Sequence, residues 1–240
     1  MPRKTCAAAT DREDYAEALR LCRPLAEQGV DVAQTTLGLM YKDGLGGLPQ
    51  NDAEAANWWR KAADQGYAAA QDLLGMAYAN GRGVTKDYGE AVKWYRKAAE
   101  QGDEDGEIML GLMFEYGRGV AQDYAEAMKW YRKAGDQGEK RGQTMLGRMY
   151  QHGHGVPQDY GEAAKWYRKA ADQNYAFAQG QLGLMYQLGR GVPHDEILAL
   201  MWYHLAAAQG DDYAKEARDE LTPDQIAEAQ RLAREWKPTR

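Results

Sequence analysis

Apolar residues fall along this chain in two alternating patterns. In residues 68–80, AAAQDLLGMAYAN, the spacing of Leu74, Gly75 and Tyr78 puts leucine and tyrosine on one stripe of a helix. The segments VAQTTLGLMYKD, GEIMLGLMFEY, GQTMLGRMYQH and AQGQLGLMYQL repeat it, for example as Leu37, Gly38 and Tyr41, as Leu146, Gly147 and Tyr150, and as Leu182, Gly183 and Tyr186. Glycine inside a helix costs about 1 kcal/mol against alanine. A glycine in the same slot of five helices therefore predicts that a partner helix presses on the backbone there. The second pattern, Ala91, Trp94, Tyr95 and Ala98, is the apolar face of another amphipathic helix.

Punctuation supports both helices. The first is expected to stop at a left-handed glycine, Gly81, Gly117, Gly153 or Gly189. The second opens at Asp87, Asp123, Asp159 or Asn51, with Glu90, Glu126, Glu162 or Glu54 three residues on, a capping-box pattern. It ends at Gly66, Gly102, Gly138 or Gly210, and Asn174 fills the same slot because asparagine also tolerates the left-handed conformation.

The unit recurs as GRGVTKDYGEAVKWYRKAAEQG at 81–102, GRGVAQDYAEAMKWYRKAGDQG at 117–138 and GHGVPQDYGEAAKWYRKAADQN at 153–174, with a looser copy, GRGVPHDEILALMWYHLAAAQG, at 189–210. Gly83, Gly119, Gly155 and Gly191 stand 36 residues apart. Such a period signals a solenoid, whose core is buried between neighbouring repeats. The expected fold is an all-α array of five helix-turn-helix repeats over 30–210, after a tail at 1–10 and a capping half-repeat at 11–29. Capping helices follow over 211–240, where Thr222, Pro223 and Gln225 mark a helix start.

Charge and chemistry change this picture little. The net charge of −6 gives the chain no reason to seek nucleic acid or an anionic membrane, and no apolar run is long enough to span a bilayer. The start lacks a secretory h-region, so the chain as written reads as cytoplasmic, or as periplasmic or secreted if a leader has been removed. Cys22 sits in the slot of Trp59, Tyr95, Tyr131, Tyr167 and Tyr203 and reads as a small buried hydrophobe, with Cys6 mobile and no disulfide framework. His152 and His154 offer two metal nitrogens where a site needs three or four ligands, so neither metal nor cofactor is expected. There is no serine for nucleophilic chemistry. GRGV lacks the Gly-Lys-Ser/Thr ending of a phosphate loop. The pairs Arg60-Lys61, Arg96-Lys97, Arg132-Lys133 and Arg168-Lys169 read as cations suiting a helix C-terminus rather than a nucleic-acid surface, and the Trp-Tyr pairs read as core.

The pattern LG-x-x-Y…G-x-GV-x-x-DY-x-x-A-x-x-WY-x-KA-x-x-x-G resembles the Sel-one-like repeat family, a relative of the tetratricopeptide repeats, across roughly residues 11–220. The resemblance implies a right-handed α-α superhelix that acts, without catalysis and as a monomer, as an adaptor for a protein or peptide. It also implies that the first helices line a concave groove. Its positions would be Leu39, Met76, Leu112, Arg148 and Leu184, then Lys42, Glu115 and Gln151, then Asp43, Asn80, Tyr116, His152 and Leu188. A Leu/Met row open to solvent there is an apolar patch of the kind that binds partners; the competing reading buries it partly between helices. Two further readings are a cell-wall or β-lactam-type ligand activity, linked to cysteine-rich relatives whose paired cysteines are missing here, and a consensus-like designed array.

Overall fold

The computed structural model describes Cys6, Ala9, Thr10, residues 13–210 and residues 221–239. Among these the secondary structure is helical, with twelve principal helices. The chain forms two compact units, residues 1–123 and 124–240. The first holds α1 (Tyr15–Glu27), α2 (Asp31–Asp43), α3 (Asp52–Asp64), α4 (Ala68–Asn80), α5 (Tyr88–Glu100) and α6 (Glu104–Tyr116). The second holds α7 (Tyr124–Asp136), α8 (Lys140–His152), α9 (Tyr160–Asp172), α10 (Ala176–Leu188), α11 (Glu196–Ala207) and α12 (Pro223–Glu235).

The helix ends follow from local chemistry. Asp87 and Asp159 cap α5 and α9 by accepting from the Glu90 and Glu162 amides at 3.0 and 2.9 Å. The reciprocal half of the expected capping box does not form in these two helices. Glu90 and Glu162 instead pair with Lys93 and Lys165, each at 2.6 Å, because an i,i+3 lysine is within easier reach than the cap amide. The full box appears at α12, where Thr222 and Gln225 cap each other. Asn174 does adopt a left-handed conformation, with φ 61°. Of the capping helices expected over 211–240, residues 211–220 lie outside the described residues.

Within a repeat the helix glycines work as expected. A Cβ on Gly75 or Gly147 would lie 2.7 Å from the ring of Tyr95 or Tyr167, and one on Gly183 would lie 2.9 Å from Tyr203. Each aromatic ring rests on bare backbone. Between repeats the contact is made by the loop glycine. A Cβ on Gly155 (φ +73°) would lie 2.7 Å from the carbonyl oxygen of Tyr124, at the start of the preceding repeat's second helix. Gly119 meets Tyr88, and Gly191 meets Tyr160, in the same way. Backbone therefore packs on backbone once per repeat.

Buried polar bonds reinforce this frame. Gln34, Gln71, Gln143 and Gln179 each donate to a carbonyl eight residues back (Ala26, Ala63, Gly135 and Ala171) at 3.1 to 3.2 Å. Each also accepts from a glutamine at the end of the next second helix: Gln65, Gln101, Gln173 and Gln209, at 2.7 to 2.9 Å. At the α12 end, Trp236 meets Trp202 edge to face at 5.8 Å.

The N-terminal region departs from expectation. Cys6 is helical and 1 % exposed, and it forms a disulfide with Cys22. The reading of Cys6 as mobile is thus corrected, and the one bridge that two cysteines allow is formed. The partners are 16 residues apart. In the second unit the hydroxyls of Tyr167 and Tyr203 donate to Gln151 and Gln187 across the same separation, at 2.6 and 2.8 Å. The disulfide stands in the slot of that hydrogen bond, which the cysteines' place in the period could have revealed.

Two outcomes test this account. Gly155→Ala should lower stability in urea unfolding by more than Gly138→Ala, whose Cβ would meet nothing within 4 Å. The latter should cost only the ~1–3 kcal/mol of a left-handed non-glycine residue. Equal losses would remove the inter-repeat contact from the explanation. The native protein should also show no thiol reactive to Ellman's reagent, and reduction should cost about 3 kcal/mol, the loop-closure value for a loop of this size.

Candidate protein-binding surface

The arginines of the cation ladder are half-buried and engaged with aromatic side chains, while the lysines stand exposed in the last turns of their helices. Arg132 donates to the Tyr150 hydroxyl at 2.7 Å, and its guanidinium lies 5.6 Å from the Trp166 ring centre. Arg168 bonds the Tyr186 hydroxyl and lies 5.0 Å from Trp202, and Arg60 bonds Tyr78 and lies 5.9 Å from Trp94. Each arginine thereby ties its own second helix to both helices of the next repeat. Where Phe114 lacks a hydroxyl, Arg96 keeps only the ring contact, at 5.6 Å. The lysines fold over their own tryptophans: Lys61 over Trp58 at 3.8 Å, Lys97 over Trp94 at 3.9 Å and Lys169 over Trp166 at 3.8 Å. The arginines are thus half-buried and engaged within the fold, while the lysines stay exposed over their tryptophans.

The first helices present a mixed face. Leu39, Met76, Leu112, Arg148 and Leu184 are all half-buried, as are Lys42 and Gln151. The row is therefore no open apolar strip. Leu39 packs against the core around Trp59 and Leu74. Glu115 was expected in the groove but is only 5 % exposed, and the Gln122 side chain donates to its carbonyl at 2.8 Å. Asp43, Asn80, Tyr116, His152 and Leu188 are exposed, Tyr116 and Leu188 by 50 % and 47 %. Asp43 lies 3.4 Å from Lys42, and Asn80 donates to the Met76 carbonyl of its own helix at 2.9 Å.

Two groups of these residues come together, one in each unit. In the first, Lys42 and Met76 join Asp52, Trp59, Ala77 and Arg82 around an open dimple of about 240 Å³. In the second, Gln151, Leu184 and Leu188 join Tyr160, Met185 and Arg190 around a dimple of about 200 Å³. The dimples occupy the same register, since residues 42, 76 and 82 stand in the repeat where 151, 184 and 190 stand later.

The loop arginines were missed as site residues by reading GRGV as a spacer. Arg190 lies 5.5 Å over the Tyr160 ring, and Arg118 lies 5.8 Å over Tyr88 and 5.2 Å over Tyr116. His154 takes the same place by stacking on Tyr124, with ring centres 4.6 Å apart. The signal was present in the sequence as a cation or imidazole 30 residues after Tyr88, Tyr124 and Tyr160. A hydrogen bond from Lys86 holds the Tyr88 hydroxyl below its ordinary pKa, against the opposing effect of burial. His152 and His154 have ring centres 5.6 Å apart. Among the described residues no group of three or more His, Cys, Asp or Glu is placed to hold a metal ion, and no helix is long and apolar enough to cross a membrane.

With this geometry in view, the comparisons decide the family. The Sel1 repeat profile matches residues 10–30, 31–67, 68–103, 105–139, 140–175 and 176–211. The chain belongs to the Sel1 repeat family. A Sel1 repeat protein from Oxalobacter formigenes is 33 % identical over 97 % of this chain and 96 % of its own, with a TM-score of 0.84. The protective antigen c5321 of uropathogenic Escherichia coli, which displays the same repeat fold, is 36 % identical over 92 % of this chain, with a TM-score of 0.79. The match covers 49 % of that antigen. A Sel1 repeat protein from Klebsiella pneumoniae is 25 % identical over 88 % of this chain, at a TM-score of 0.54. No curated protein sequence matches the chain. The architecture is thus the all-α solenoid of Sel1 repeats, whose members generally serve as non-enzymatic protein-interaction scaffolds.

The Arg–Tyr clamp is testable by a double-mutant cycle in the second unit. Arg132→Met and Tyr150→Phe should each destabilise the chain, with a coupling of about 1 kcal/mol in urea unfolding, the usual net worth of such a hydrogen bond. Additive effects would show that the two side chains do not act together.

Proposed function

We propose that this chain is a non-catalytic scaffold that holds a segment of a partner protein against its first helices, at the dimples and the exposed residues around them. The observation that carries this reading is a division of labour. The most repeated polar side chains, the clamp arginines and the glutamine ladder, are spent on the fold. The exposed positions Asp43, Asn80, Tyr116, His152 and Leu188 change from copy to copy. An exposed side chain that differs from repeat to repeat suits the reading of a partner, and an extended peptide or a helix can lie across such positions.

Dimple size disfavours the alternative of a cell-wall or β-lactam-type ligand. Both dimples are shallow and open, with an enclosed volume of only about 10 Å³, against roughly 300–1,000 Å³ for small-molecule sites. For location, the Cys6–Cys22 bridge supports an oxidising compartment over the cytoplasm, because disulfides persist there.

Photo-crosslinking residues placed at Asn80 and Leu188 should capture a partner that Lys165, exposed on a second helix, does not. Equal capture at all three positions would sink the assignment of the face. Hydrolysis of a chromogenic β-lactam by the purified chain would sink the non-catalytic reading.

A further inference from the structure

The dimple of the second unit has a composition that specifies what fits it, given the scaffold reading above. Its apolar lining is Leu184, Met185 and Leu188, the last 47 % exposed. Its polar lining is Arg190, Tyr160 and Gln151, with no carboxylate. Tyr160 orients the Arg190 guanidinium, which lies 5.5 Å above its ring. Gln151 accepts the Tyr167 hydroxyl at 2.6 Å, which leaves its amide N–H groups to donate.

Neighbouring carboxylates are committed elsewhere. Asp159 accepts from the Glu162 amide at 2.9 Å, and Glu162 pairs with Lys165 at 2.6 Å. Asp195 accepts from the Leu198 amide at 2.9 Å, and Glu196 meets His194 at 2.8 Å. Acidic residues outnumber basic ones in this chain, 36 to 30. Even so, among the described residues no carboxylate pairs with Arg190 or lines this dimple, while the equivalent dimple of the first unit carries Asp52 in its lining. The second dimple thus combines an apolar floor with donors that lack an acceptor.

We infer that the Leu184–Leu188–Arg190 dimple docks an acidic segment of a partner protein, with an aliphatic side chain of the segment on the apolar floor and a neighbouring carboxylate paired with the Arg190 guanidinium. A planar guanidinium held over an aromatic ring is suited to bidentate carboxylate binding, and burial of the aliphatic anchor supplies the affinity.

The test uses the full chain and a fluorescein-labelled peptide in which leucines alternate with pairs of aspartates, read by fluorescence anisotropy. Replacing the aspartates by lysine, or the leucines by serine, should weaken binding at least about tenfold, and so should Arg190→Glu or Leu188→Glu. Lys165→Glu, on the exposed side of a second helix, should leave binding unchanged, and circular dichroism should show every variant folded. Equal binding of the lysine peptide, or indifference to Arg190→Glu, overturns the inference. Self-association in sedimentation that Arg190→Glu abolishes also overturns it, by making a second copy of this chain the occupant. If crosslinkers at Asn80 and Leu188 capture a partner while the acidic peptide fails to bind, the scaffold stands and only the acidic partner falls. Failure of both removes the scaffold face as well.

Discussion

Everything in this structure depends on backbone being allowed to touch backbone at fixed intervals. The second glycine of each GxG loop lies against the carbonyl that opens the preceding second helix, and Gly38, Gly75, Gly147 and Gly183 of the LG pairs lie under an aromatic ring. Any side chain at these points would hold the elements apart, and the polar bonds around them would lose their reach. The glutamine ladder and the arginine clamps work only because that spacing is already set. Their bonds span 30 or 31 and 18 residues respectively, so each links consecutive repeats and none links distant ones. Stability of this kind accumulates by neighbours.

This economy explains how such a chain can carry specificity. Residues that repeat are bound into the frame, including tryptophans, arginines and lysines that in another setting would suggest nucleic-acid stacking. The recognition surface proposed above is the rim of the first helices and the loop that follows. There Arg190 and Arg118 rest on tyrosines while their guanidinium edges stay exposed. The same slot therefore packs on a tyrosine at Arg118, His154 and Arg190.

The N-terminal cap shows the frame accepting a substitution of kind. Where later repeats join their two helices through a tyrosine hydroxyl and a glutamine, the first joins them through sulfur across the same separation. A covalent link suits an end of the array, where only one neighbour is available to bury the helix.

The sequence by itself determined the period, the helix pairs, the caps and the identity of the close-approach glycines, because each is a local rule repeated enough times to be read. It also placed the candidate surface on the first helices, through the resemblance of its repeat. Only the tertiary structure decided which candidates are accessible. Glu115 is buried, Asn80 is spent on its own helix, and the Leu/Met row is half-buried. These outcomes depend on how far a neighbouring helix covers each position, which no spacing records. The structure also paired Cys6 with Cys22, turned the arginine ladder inward, and brought Arg190 from the loop to the lip of a dimple floored by α10. Those contacts join residues from different elements, and the period gives their positions without their directions.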